Sequence, residues 1–85
     1  MDRTLINAFW ACGDDQIIQF AMTRAHLNRI ERDVLCLILD DCMTQEKVAE
    51  ELGYSTRRIQ SYWYSAVDKL LNIPWVSAYA KELMG

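Results

Sequence analysis

Arg57, Arg58, Gln60 and Ser61 bring two guanidinium groups, a carboxamide and a hydroxyl into about one helical turn. A guanidinium can donate two parallel hydrogen bonds to guanine, and a carboxamide can pair in the same way with adenine. Each such pair is worth about 1–3 kcal/mol of discrimination against the wrong base. Taking Ile59 as zero and advancing about 100° per residue puts Ile59, Trp63, Ala66 and Leu70 on one face. Arg57, Ser61, Tyr64 and Asp68 fall opposite, with Arg58, Gln60 and Ser65 on the flanks. A helix that enters the major groove by its N-terminal end would reach base edges first with Thr56, Arg57, Gln60 and Ser61. Ser55, Arg58 and Tyr64 suit phosphates, as do Thr44 and Gln45 at the start of the preceding helix, where backbone N–H groups lack partners. Asp68 opposes phosphate, so contact should end near Tyr64. The same cations also fit an ordinary solvated face, and the surrounding elements must separate the two readings.

Those elements make a specific demand. Two helices that cross steeply over a short turn need a small residue where they approach, supplied by Ala49. They need a residue tolerant of positive φ four positions later, supplied by Gly53. Val48, Leu52, Tyr54, Ile59 and Tyr62 supply the apolar filling of the angle. Ala and Gly four apart often arise by chance; the full set in register predicts a helix-turn-helix over Gln45–Tyr64. Thr44 caps its first helix, Ser55 or Thr56 caps the second, and Asn72 with Pro74 ends the second near Leu71.

The segment Leu27–Leu71 resembles region 4 of bacterial sigma factors and the similar LuxR-like DNA-binding domain of response regulators. Glu31, Arg32, Val34 and Leu35 match an E-R-x-V-L opening. Thr44, Val48, Ala49, Leu52, Gly53 and Ser55 match the run that follows, and Lys69, Leu70 and Leu71 the K-L-L close. The resemblance implies a recognition helix in the major groove of double-stranded DNA from Thr56 onward, and RNA polymerase as a partner. A small accessory or phage-type transcription regulator is expected rather than a complete sigma factor. A protein-interaction module of the same fold, docking on RNA polymerase, and a DNA-packaging adaptor are the alternatives.

The rest of the chain reads as helix too. Leu5, Ala8, Phe9 and Cys12 form one stripe within Asp2–Cys12, widened by Ile6 and Trp10. Gly13 stops that helix, and Asp14 or Asp15 caps the next, with Ile17, Phe20, Ala21 and Arg24 on its inner face. Asn28 and Glu31 form a capping-box pattern before a helix that is apolar on both sides, through Ile30, Val34, Leu37 and Ile38 and, opposite, Leu35 and Leu39. Its second face needs a cover, for which residues 1–27 are the expected source. Val76, Tyr79, Ala80 and Leu83 line a last helix over 74–84. The expected fold is all-α, one domain of five to six helices: 1–27 packing on the core, 28–71 carrying the helix-turn-helix, and a C-terminal helix.

Composition bounds the function. The formal net charge of −3 is unusual for a free-standing DNA binder, whose affinity comes largely from phosphate contacts. Charge is unevenly spread, however: from Asp40 to Leu52, Asp40, Asp41, Glu46, Glu50 and Glu51 oppose only Lys47, whereas from Gly53 to Leu71, Arg57, Arg58 and Lys69 outnumber Asp68. One cationic edge is therefore expected, and a homodimer would double it. The stripe from Trp75 to Leu83 and the apolar surplus at Ile6 and Trp10 are candidate dimer surfaces, unless they complete the core. Cys12, Cys36 and Cys42 read as buried, reduced thiols; with His26 the single histidine, they have no zinc spacing, and no cofactor is expected. No titratable pair or Gly-rich phosphate loop suggests an enzyme. No leader peptide pattern and no membrane span are visible, so a cytoplasmic protein is expected.

Overall fold

The computed structural model describes residues 3–85. Among them run six helices and no strand: α1 Thr4–Trp10, α2 Asp15–Arg24, α3 Arg29–Leu39, α4 Gln45–Leu52, α5 Thr56–Leu71 and α6 Pro74–Leu83. The fold is all-α, as expected. The expected start of the first helix at Asp2 lies outside the described residues. By its contacts the chain divides into two compact units, one spanning 28–66 and the other comprising the chain up to Leu27 together with Val67–Gly85.

Within 28–66, side-chain caps fix where each helix starts. Asn28 Oδ1 accepts from the Glu31 N–H at 2.8 Å, and Glu31 Oε1 accepts from the Asn28 N–H at 3.0 Å, which completes the capping box of α3. Thr44 Oγ1 accepts from the Lys47 N–H at 3.1 Å and starts α4; Ser55 Oγ accepts from the Arg58 N–H at 3.2 Å and starts α5. Between α4 and α5, Gly53 takes a left-handed φ of 75°, and the N–H groups of Gly53 and Tyr54 both donate to the Ala49 carbonyl, at 2.9 and 3.0 Å. A Cβ at Gly53 would meet nothing within 4 Å, so a side chain there is opposed by backbone conformation alone. Gly53→Ala should therefore cost about 1–2 kcal/mol, read as a lower urea midpoint at unchanged slope. A neutral result would mean that the turn is not held at positive φ.

Val34, Leu35, Ile38, Val48, Ala49, Ile59, Trp63 and Ala66 are the buried apolar residues of this unit. Val34 and Leu35 are both fully buried, so the two apolar faces of α3 are both covered. Leu52 and Tyr62 are half-buried. Glu31 is buried as well, at 1% exposure, and its second carboxylate oxygen accepts from the Ser65 hydroxyl on α5. One carboxylate thus caps α3 and ties it to α5.

In the other unit, α1 packs on α6. Phe9 is fully buried and meets Trp75 and Tyr79 edge-on, with ring centroids 6.3 and 6.2 Å apart. Ile6 and Trp10, expected to widen the helix 1 stripe and either to offer a dimer surface or to complete the core, are buried at 0% and 8% exposure, because α1 is set inward on the Ile6, Phe9, Trp10 side. On α2 the inner face is also turned from expectation by about one position: Ile18, Ala21 and Met22 are buried, whereas Phe20 is 60% exposed. Two stripes about 100° apart carry similar apolar content on this short helix, and periodicity alone does not choose between them. His26 takes a left-handed φ of 56° and lets the Leu27 N–H reach the Met22 carbonyl, closing α2 as glycine often does. Pro74 opens α6, where the Ser77 hydroxyl donates to the Leu71 carbonyl at the end of α5.

The three cysteines are free thiols, but they are not all buried. Cys42 is exposed and holds the left-handed turn after α3, with φ 55°. Cys12 and Cys36 are half-buried. Burial, then the nearby carboxylates of Asp40, Asp33 and Asp41, push the Cys36 thiol above its usual range and keep it protonated. Among the described residues no helix is long and apolar enough to cross a membrane.

Candidate nucleic-acid interface

The buried row Ile59, Trp63 and Ala66 fixes which way α5 faces. Arg57, Arg58, Gln60, Ser61 and Tyr64 are consequently exposed, and Thr56, the first helical residue, is half-buried. Six of the residues expected to read or grip nucleic acid thus lie along the first turns of one helix. Ser55, just before it, is exposed and already serves as cap, as does Thr44 before α4. Capping uses a hydroxyl lone pair and leaves the O–H free to donate to a phosphate oxygen. Gln45 is half-buried at the first turn of α4. That turn presents backbone N–H groups without helical partners, but Glu46 beside them carries a competing negative charge.

Ser65 does not belong with the exposed flank, because its hydroxyl is turned to Glu31. Arg58 is held in a way that was not evident from the sequence. Its guanidinium carbon lies 4.8 Å from the Tyr54 ring centroid and 5.6 Å from that of Tyr62. Arg58 Nη2 donates to the Tyr62 hydroxyl at 2.7 Å, and the two rings meet edge to face 5.7 Å apart. The four-residue spacing of Arg58 and Tyr62 within α5 is the signal that was available, since residues four apart share a helix face; Tyr54, in the turn before α5, gave none. A guanidinium has five N–H donors, and this bond uses one of them.

The electrostatics are divided. Arg57 and Arg58 supply positive charge at the start of α5, whereas α4 exposes Glu46, Glu50 and Glu51, with Lys47 in an exposed pair with Glu50 at 4.0 Å. Such a pair contributes little to stability.

A capped helix, a left-handed glycine turn and a second helix that buries one face and exposes arginine, glutamine and serine on the other together define a helix-turn-helix DNA-binding domain. Residues 25–70, more than half of the chain, match the family model for Sigma-70, region 4, and the chain belongs to that family. No curated protein and no solved structure matches the chain.

Proposed function

We propose that this chain is a sequence-specific double-stranded DNA-binding transcription regulator of the cytoplasm, with the N-terminal half of α5 in the major groove. The observation that supports this most is the joint exposure of Arg57, Gln60 and Ser61 on one side of α5, opposite buried Ile59 and Trp63. Arg57 and Gln60 read base edges; Arg58, Ser55, Thr44, Gln45 and Tyr64 grip phosphates. Thr56 and Ser61 stand at the base-edge end of the same face. Selection of bound duplexes from a random pool, followed by mobility shifts at low and moderate salt, tests the reading. An enriched sequence bound more weakly as salt rises is expected; no enrichment together with salt-independent binding would overturn it. Arg57→Ala should flatten the base preference at one position, at a cost of about 1–3 kcal/mol on the selected site.

A second reading has its own support. Glu46, Glu50 and Glu51 give α4 an exposed acidic face that suits a basic protein surface, and RNA polymerase is the partner that the family suggests. On this reading the chain acts by docking. Capture of polymerase from a cognate cell extract should then survive replacement of Arg57 and Arg58 by Ala, and weaken when Glu50 and Glu51 are replaced by Lys.

A further inference from the structure

Outside the family-matched segment, α2 and α6 form the walls of an open groove of about 630 Å³. Phe20 and Trp75 stack obliquely across it with centroids 5.9 Å apart, and both stay exposed, Phe20 at 60% and Trp75 at 37%. Ile17 and Tyr79 extend the apolar wall. Trp75 and Tyr79 rest edge-on against fully buried Phe9, so the aromatic wall is anchored rather than loose. The charged residues that line the groove are Asp14 and Glu82, both carboxylates. Lys81 and Arg24 lie nearby in sequence but do not line it.

We infer that this groove receives a short amphipathic segment of another protein, an apolar anchor flanked by Lys or Arg. The aromatic wall takes the anchor, and the carboxylate rim takes the flanking cations. Cations passing the faces of Trp75 or Tyr79 gain further from the rings. Charge separates this occupant from the alternatives. Nucleic acid and anionic lipid would bring phosphate against Asp14 and Glu82. A second copy docking by a two-fold axis would set one carboxylate rim against another, in a chain of net charge −3.

The test uses the intact chain and three labelled helical peptides that share one Leu and Phe anchor set, flanked by Lys, by Glu or by Ser, read by fluorescence anisotropy. The Lys-flanked peptide should bind at least about tenfold more tightly than the Glu-flanked one at low salt, with the preference narrowing as salt rises. Phe20→Ser should weaken it by about tenfold or more. Glu82→Lys should cost on the order of fivefold for the Lys-flanked peptide and improve binding of the Glu-flanked one. DNA binding by Phe20→Ser should stay unchanged, which separates this groove from the α5 face. Equal binding of all three peptides, or none by any, would overturn the inference. So would a concentration-dependent dimer that Phe20→Ser dissolves, since a second copy would then be the occupant.

Discussion

Glu31→Ala should lower stability by about 3–5 kcal/mol, because it removes two hydrogen bonds to a charged group worth about 1.5–3 kcal/mol each. The carboxylate accepts the Asn28 N–H with one oxygen and the Ser65 hydroxyl with the other, at 1% exposure. Its loss leaves both donors without their acceptor, the Ser65 hydroxyl beside the space that the buried side chain filled. Small domains hold only about 5–15 kcal/mol in total, so the variant should be largely unfolded at moderate urea. Glu31→Gln keeps an acceptor for the cap, and the Ser65 hydroxyl can turn to accept from the new amide; a loss of about 1–2 kcal/mol is expected. Urea titration followed by far-ultraviolet circular dichroism measures both, and Ser65→Ala completes a double-mutant cycle. A Glu31→Ala loss below about 1 kcal/mol would show that the buried carboxylate ties nothing together.

Reversing both arginines, Arg57→Glu with Arg58→Glu, should reduce DNA affinity by about a hundredfold or more while leaving the helical spectrum intact. Both side chains are exposed, so neither change opens the core. The slope of log affinity against log salt should fall by about one for each phosphate that the variant no longer neutralises. Tyr62→Phe refines the result, since it keeps the ring and removes only the oxygen that accepts from Arg58. It should weaken binding a few-fold in the otherwise unchanged chain and have no added effect beside Arg58→Ala. Full affinity in the double reversal would move DNA binding away from α5 altogether.

Where local chemistry dominates, the sequence was legible. Asn28 with Glu31, Thr44, Gly53 and Pro74 set helix limits through caps and φ preferences that act within a few residues, and those limits stand. The long period of α5 also fixed its inner face, because Ile59, Trp63, Ala66 and Leu70 repeat over about three turns of one helix. Short α1 and α2 offer too few repeats to choose between neighbouring stripes, so Ile6 and Trp10 turned out buried and Phe20 exposed. Partners distant in sequence carry no periodic signal. Ser65 lies 34 positions from Glu31, and only the folded chain shows that a residue expected on the flank is committed to a buried carboxylate. The candidate site was legible as a face of α5, whereas the hold on Arg58 depends on Tyr54 in the turn, outside the periodic run of that helix.

Fixing Arg58 in advance has a thermodynamic consequence. A free arginine side chain loses up to about 2 kcal/mol of rotamer entropy when it is fixed against a ligand. Held against the rings of Tyr54 and Tyr62, Arg58 has surrendered much of that freedom on folding, before any ligand is met. On the proposed DNA-binding face, holding Arg58 rigid adds to affinity without adding a further cation. Its binding should accordingly be more enthalpic and less dependent on side-chain ordering than that of a lysine-rich surface of equal charge.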